Sequence, residues 1–197
     1  MSFLMIKKDI FIIQLDVWFV VLMDFEKTVT RSFRISEIAL KILQEDARRY
    51  KVSVNTLVNQ VLLSYVNFDR YAEKLGVIKL MTSAFKHLLD AIPEELLIKA
   101  SYTAGKDTSE TFIIAKEGTL SLEAVIDYLK TLAEYANFFE YSEVVKEDEV
   151  IITLTHPLGL KGSLFIAHYI QPIFERIRID AYYSLSDHAV VIELKKQ

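Results

Sequence analysis

The feature that most constrains the fold is a short alternating segment, residues 28–35, that runs directly into two helical patterns. Its alternation predicts a strand with two faces, Val29, Arg31, Phe33 and Ile35 on one and Thr28, Thr30, Ser32 and Arg34 on the other. A lone strand leaves its backbone groups unpaired and therefore requires a partner strand. The same segment of a second copy is the simplest partner. The pattern therefore predicts an intertwined homodimer with a two-stranded antiparallel ribbon.

One face of the predicted ribbon carries the hydroxyls of Thr30 and Ser32 and the guanidinium of Arg34. Such groups bond to base edges, and arginine with guanine is the commonest pairing. A two-stranded ribbon also fits the major groove of DNA. Arg31 interrupts the apolar face near the end of the strand, where we expect it to reach a phosphate. A solvated edge strand is the alternative interpretation of this segment.

Two amphipathic helices follow, with Ser36 and Ser53 as their predicted N-caps. Apolar residues recur at helical spacing in both: Ile38, Ala39, Ile42, Leu43, Ala47 and Tyr50 in the first, and Leu57, Val58, Val61, Leu62, Tyr65 and Val66 in the second. The start of the second helix offers free backbone N–H groups and the positive end of a dipole, which together can hold a phosphate.

Residues from about Glu26 to Asn67 resemble the ribbon–helix–helix repressors of the Arc, MetJ and CopG type. The resemblance is carried by the T-R-S-F-R-I-S run, which joins strand to helix, and by S-V-N at the start of the second helix. It implies two sets of DNA-contacting residues, Thr30, Ser32 and Arg34 for bases and Ser53, Val54 and Asn55 for the backbone phosphate.

The turn between the two helices departs from that family. Gly or Asn is usual there, whereas this chain has Arg49-Tyr50-Lys51-Val52. A left-handed turn residue other than Gly costs about 1 kcal/mol.

Composition and charge limit the classes of function. The chain has 197 residues, of which 52% are hydrophobic, and it lacks cysteine, which excludes disulfides, thiolate metal sites and cysteine catalysis and favours a cytoplasmic protein. Net charge is −4, but residues 24–70 carry eight Lys/Arg against six Asp/Glu, whereas residues 71–197 carry thirteen against nineteen. Specific contacts made by a dimer must therefore contribute more to DNA affinity than bulk charge does.

Residues 1–23 form an apolar extension that includes the run 10–23, interrupted by Gln14 and Asp16. This run is too short and too polar for a transmembrane helix and has no small-residue cleavage site. Either it is an additional strand or helix that covers an apolar surface, or translation begins at Met23. We favour the second interpretation, because an apolar arm beside a DNA-reading ribbon would promote aggregation.

Residues 71–197 are predicted to form an α+β domain with a mostly antiparallel sheet. The predicted helices cover 78–91, 94–104, a segment after the N-cap Ser121, and 162–176; the predicted strands cover 111–115, 138–146, 149–155, 177–185 and 189–195. The order of the last elements resembles that of the small-molecule-binding domains of the 4-vinyl-reductase type. We expect this domain to sense a ligand or to support further oligomerisation.

The run T-H-P-L-G-L-K-G-S contains the strongest candidate ligand site of this domain: His156, Gly159, Lys161, Gly162 and Ser163. Glycines, a lysine and a serine at a helix start can hold an anion. A tight turn with a helix cap and an ordinary histidine is the alternative interpretation. The four histidines show no metal-ligand spacing, and no nucleophile–base pair is evident, so we predict neither a metal, nor a cofactor, nor an enzyme.

The sequence thus predicts a homodimeric transcriptional regulator that binds double-stranded DNA, as one dimer or as a dimer of dimers, with a C-terminal domain that responds to a small-molecule effector. No association with a membrane is expected. Two alternatives remain open. The chain is an antitoxin-like protein whose C-terminal part wraps a toxin, or it is a small-molecule-binding protein that uses the ribbon only to dimerise.

Overall fold

The computed structural model describes residues 28–146 and 149–195 of the chain. Its helices are α1 (Glu37–Tyr50), α2 (Val54–Ser64), a π-helical turn (Tyr65–Asp69), α3 (Arg70–Leu75), α4 (Thr82–Ala91), α5 (Glu94–Glu117), α6 (Leu122–Glu134) and α7 (Leu160–Arg176). Its strands are β1 (Glu140–Val145), β2 (Glu149–Thr155), β3 (Ala181–Leu185) and β4 (Ala189–Lys195). The contacts divide the chain into two units between Asp46 and Ala47, within α1.

In the first unit, α1 begins where the sequence predicts. The Ser36 hydroxyl accepts a hydrogen bond from the Ala39 N–H at 3.1 Å, and Glu37 lies in the first turn, where the helix dipole favours a carboxylate. Residues 28–36 form neither helix nor strand in this single chain. The predicted strand requires a second copy as its partner, so the ribbon stays a prediction.

The turn after α1 adopts a left-handed conformation at Lys51, whose φ is +56°. The N–H of Val52 bonds to the carbonyl of Ala47 at 3.0 Å, and the N–H of Lys51 bonds to that of Arg48 at 3.3 Å. These two bonds define a Schellman motif, in which Lys51 occupies the position that Gly usually takes. The departure noted in the sequence is therefore accommodated at a conformational cost of about 1 kcal/mol.

In the second unit, α2 starts at its predicted cap, since the Ser53 hydroxyl accepts the Thr56 N–H at 3.0 Å. The helix then continues through the π-helical turn into α3 and ends at Gly76, which is left-handed with φ +72°. Within this run, Ser64 donates to Asp69 at 2.8 Å. Phe68 is buried with the main hydrophobic core, so the end of the second predicted helix belongs to the packing of this unit.

One prediction for the middle of the chain is wrong. Residues 94–104 and 111–115 were expected to be a helix and a strand, but both lie in the single 24-residue helix α5. Residues of low helix propensity between them obscure the pattern. Their small size instead permits close packing: Ser101, Gly105 and Ser109 are all buried, and a Cβ added to Gly105 would lie 1.9 Å from the carbonyl oxygen of Tyr169 in α7. Tertiary packing thus overrides local propensity.

The sheet is antiparallel throughout and has the strand order β1-β2-β4-β3, which confirms the α+β class. Its central strands lie where the sequence predicts them and alternate in burial, with Val150, Ile152 and Leu154 buried in β2 and Val190, Ile192 and Leu194 buried in β4. Ile152 lies opposite Ile192 in the register. These side chains form one core with apolar residues of α7, including Ile166, Ile170 and Phe174.

Other boundaries agree with the sequence to within a few residues. Ser121 caps α6 by accepting the Ala124 N–H at 3.2 Å, and α7 starts two residues before the predicted 162. β3 starts at Ala181 rather than 177, since Arg178 adopts a left-handed φ of +60° that interrupts an extended chain. No helix in the ranges 28–146 and 149–195 is long and apolar enough to span a membrane.

Replacing Gly105 with Ala is expected to lower the free energy of unfolding by about 1–3 kcal/mol, because the new methyl group must displace the α7 backbone. Urea denaturation measures the change. The matched control is Lys106→Ala, at the next and exposed position of the same helix, which should stay close to the parent. Parental stability of Gly105→Ala would contradict the close packing of α5 and α7.

Candidate functional site

The predicted base-reading residues Thr30, Ser32 and Arg34 are all exposed. Arg31 is exposed as well, and its guanidinium donates to the carbonyl oxygen of Thr30 at 3.2 Å. These four side chains are therefore accessible to a nucleic acid from the surface of the first unit.

Residues 28–46, the described part of this unit, expose most of their apolar side chains. Phe33 and Ile35, which lie on the predicted apolar face of the strand, are 70% and 51% exposed, and Ile38 on α1 is 76% exposed. A single chain therefore leaves the apolar face that the sequence pattern predicts without cover.

The predicted phosphate-binding residues lie at the start of α2 in the second unit. Ser53 and Asn55 are exposed and Val54 is half-buried. The Ser53 hydroxyl also pairs with the Thr56 hydroxyl at 2.8 Å, which fixes the cap. As at any helix start, the first backbone N–H groups have no partner within the helix and face outward to an acceptor. Farther along, Val61, Leu62, Tyr65 and Val66 form a largely exposed apolar face.

The structure brings together the residues of the predicted anion site, but the polar ones bond to protein groups. Lys161 donates to the carbonyl oxygens of Asp90 at 2.8 Å and Ile92 at 2.5 Å, and so closes the C-terminal end of α4. Ser163 donates to the carbonyl of Ser186 in the β3–β4 turn. These bonds give the cluster a structural role that matches the alternative interpretation, and anion binding there stays untested.

His156 is the buried centre of this cluster, with only 3% of its surface exposed. Its Nδ1 accepts the Leu158 N–H at 3.2 Å, so the proton resides on Nε2, which lies 2.9 Å from the Ser163 hydroxyl. Gly162 packs tightly beside it, since an added Cβ would meet the ring at 3.2 Å. Burial, and secondarily the charge of His188, lowers the pKa of His156. Gly159, with φ +75°, supplies the turn that starts α7.

A second site was missed by the sequence. Seven aromatic side chains line a pocket in the second unit: Phe68, Phe85, Phe112, Tyr128, Phe138, Phe165 and Tyr169. We call it the aromatic pocket. Its volume is about 550 Å³, within the range of small-molecule sites. The rings interlock, with Phe85 edge-on to Phe165 at 5.2 Å between centroids and Phe165 stacked on Tyr169 at 5.7 Å.

The pocket is hard to predict from the sequence because its residues come from six separate helical segments and from the loops between them. The local signal is the pair Phe165 and Tyr169, which lie four residues apart and therefore on one side of α7. As to metals, the described parts of the chain contain no group of three or more His, Asp or Glu side chains placed to hold an ion.

Comparison with known proteins gives no assignment. No protein-family model and no curated protein matches the chain. One solved structure, of an Fe(II) unliganded H-NOX protein mutant from K. algicida, aligns over 90% of this chain and 82% of that one, with 16% identity and a TM-score of 0.24. At that TM-score the alignment supports no conclusion about fold or function.

The lowered pKa of His156 predicts a pH dependence of stability. In the unfolded chain the pKa of this histidine is about 6.5. As the pH falls below that value, the unfolded chain binds a proton more readily than the folded chain does. The free energy of unfolding should therefore decrease as the pH falls from about 7.5 to about 5.5, measured by urea denaturation. His156→Gln, which keeps a donor near Ser163 but does not titrate, should flatten this slope. The control His87→Gln removes an exposed histidine and should leave the slope intact; a slope that survives in His156→Gln would contradict the assignment.

Proposed function

We propose that this protein is a homodimeric transcriptional regulator that reads the major groove of double-stranded DNA with a two-stranded ribbon formed by residues 28–35 of both copies. Residues 71–197 serve as its regulatory domain. The site of action is the cytoplasm of a prokaryotic cell, where repressors of the ribbon–helix–helix type work. The observation that carries the proposal is the exposure of the apolar residues that such a dimer would bury.

The exposed apolar surface requires a partner that is itself apolar. Ile38 and Ile42 in α1 are 76% and 53% exposed, and Val61 and Leu62 in α2 are 56% and 47% exposed. Burying a side chain of this kind contributes about 1.5–3 kcal/mol. These positions are also those of the periodic apolar sets in the two predicted helices, which the ribbon–helix–helix resemblance assigns to a core shared by two chains. A second copy of the chain is therefore the partner that accounts for both the pattern and the exposure.

In the same proposed dimer, the polar groups are placed to contact DNA. Thr30, Ser32 and Arg34 are exposed and alternate along the segment, so two antiparallel copies would present six such side chains on one face. The capped start of α2 supplies N–H groups to a flanking phosphate. In the proposed mechanism one dimer, or two adjacent dimers, occludes a short palindromic operator.

The aromatic pocket favours a second candidate, a small-molecule-binding protein that uses its N-terminal segment only to dimerise. This candidate shares the dimer and the pocket with the first but predicts no affinity for DNA. Measurements of assembly and of DNA binding therefore separate the two candidates.

Assembly is tested by Ile38→Glu. A carboxylate in the proposed shared core would remain unpaired, so the variant should be monomeric at concentrations where the parent is a dimer, as measured by sedimentation velocity. The matched control is Lys41→Glu, an exposed position of the same helix where the sequence pattern is polar. A parent that sediments as a monomer, or a dimeric Ile38→Glu, would overturn the proposed dimer.

DNA binding is tested by fluorescence anisotropy with fragmented DNA at low and moderate salt. Arg34→Ala should weaken saturable binding by about 1–3 kcal/mol, because it removes a base contact in each copy. Lys99→Ala removes the same charge from an exposed position on α5 and is the matched control. Equal affinity of Arg34→Ala and the parent for DNA would contradict the ribbon assignment. A folded dimer without any DNA affinity would favour the second candidate.

A further inference from the structure

The aromatic pocket has a buried apolar base and a polar rim. Phe68 and Phe112 are 4% and 5% exposed, whereas Asp107 and Thr108, which also line the pocket, are exposed on α5. A ligand that fits this gradient has an apolar, preferably aromatic, body and one polar end that stays near solvent.

The hydroxyl groups beside the rings form a hydrogen-bonded chain, and its direction follows from the bond that Thr108 makes to its own helix. Thr108 donates its only proton to the carbonyl oxygen of Ala104 at 2.8 Å. With that proton placed, the Tyr169 hydroxyl, 2.8 Å from Thr108, donates to Thr108, and Tyr128, 3.0 Å from Tyr169, donates to Tyr169. Burial raises the pKa of Tyr128 well above its usual value, so this hydroxyl keeps its proton.

All three hydroxyl protons are thus committed within the protein. What Tyr169 and Thr108 still offer a ligand is acceptor capacity at their oxygens. Thr111, another residue of the lining, repeats the arrangement, since its hydroxyl donates to the carbonyl of Asp107 at 3.2 Å. The polar end of the ligand should consequently be a hydrogen-bond donor.

The charges of the lining residues further restrict the chemical class of the ligand. Among the described residues that line the pocket, Asp107 carries the one formal charge, and Lys, Arg and His do not contribute to the lining. A carboxylate ligand would meet repulsion and no donor, whereas an ammonium group would meet a carboxylate, hydroxyl acceptors and the negative faces of aromatic rings.

We propose that the aromatic pocket binds a small arylalkylamine in its protonated form, with the ammonium group at Asp107, Thr108 and Tyr169 and the ring against Phe68 and Phe112. The volume of about 550 Å³ accommodates one aromatic ring with a short aliphatic chain.

The pocket also touches the helix that begins at the Ser53 cap. Phe68 belongs to the π-helical turn that continues α2, and the segment Gly76–Ile78 after α3 forms another part of the wall. A ligand that contacts these residues acts on the continuation of α2, which gives it a route to alter DNA affinity. This role as effector rests on the proposed function, whereas binding of the amine does not.

Binding is tested by isothermal titration calorimetry of the full chain without DNA, near neutral pH. The probes are phenethylamine, phenethyl alcohol and hydrocinnamate, which share a ring and differ in a cationic, neutral or anionic end. We expect the amine to bind about tenfold more tightly than the alcohol, and the carboxylate to show no binding in the same range. Absence of amine binding, equal affinity for amine and alcohol, or comparable affinity for the carboxylate would each overturn the proposal.

Two variants assign the contacts. Asp107→Asn should abolish the advantage of the amine over the alcohol, whereas Glu95→Gln, an exposed acid on the same helix, should preserve it. Tyr169→Phe should weaken both ligands about fivefold through loss of an acceptor. Its control is Tyr102→Phe, since the Tyr102 hydroxyl bonds to Glu175 outside this pocket. An amine preference that persists in Asp107→Asn would refute the assigned ammonium position.

The effector role is tested separately, by DNA anisotropy with and without phenethylamine. A shift in DNA affinity for the parent that is lost in Asp107→Asn supports the role. Amine binding by calorimetry without any DNA binding would overturn the proposed function and leave the pocket assignment standing. DNA and amine binding that do not influence each other would overturn the effector role alone.

Discussion

The close approach of α5 and α7 is the constraint on which the second unit depends. It exists because Ser101, Gly105 and Ser109 are small and lie on one side of α5, so the α7 backbone comes within reach at Tyr169. Two consequences follow from the same contact. α7 contributes Ile166, Ile170 and Phe174 to the core that it shares with the sheet. The Tyr169 hydroxyl is brought to Thr108 and so joins the pocket to α5. The core and the pocket therefore both depend on the contact between α5 and α7, and a larger side chain at position 105 would disturb both.

In the described part of the first unit, residues 28–46, most large apolar side chains are exposed instead of packed. Ile38, Phe33 and Val29 are each at least 70% exposed, although their spacing is that of a buried face. A soluble monomer has no physical reason to arrange large apolar residues in this way. In the proposed dimer the same residues bury each other, and the polar alternation of Thr30, Ser32 and Arg34 becomes the outer face of a ribbon. Folding and DNA reading would then be one event, because neither the strand nor its polar face exists without the second chain.

Sequence reasoning succeeded where the signal is local. The caps at Ser36, Ser53 and Ser121 and the alternating strands β2 and β4 follow from neighbouring residues, and each was predicted. It failed at α5, where low helix propensity around Gly105 conceals a contact with α7 some sixty residues away. The aromatic pocket was missed for the same reason, as Phe68, Phe112 and Phe165 meet only in three dimensions. The residues of the predicted anion site are neighbours in the sequence, but their bonds to Asp90, Ile92 and Ser186 depend on the tertiary fold and could not be predicted.

A ligand can shift DNA affinity only if it contacts two states of the protein differently. The run from α2 to α3 has a suitable element for this, because the hydrogen bonds of its π-helical turn span one residue more than those of an α-helix and such turns are often found at functional sites. Phe68 lies in that turn and also lines the pocket, so a bound ring would press on the point where the helix is irregular. A change there would rotate or shift α2 relative to the core, and with it the capped start at Ser53 that is proposed to hold a phosphate. The pocket and the proposed phosphate-binding start of α2 thus lie along one continuous helical run, which would connect ligand binding to DNA binding in the proposed regulator.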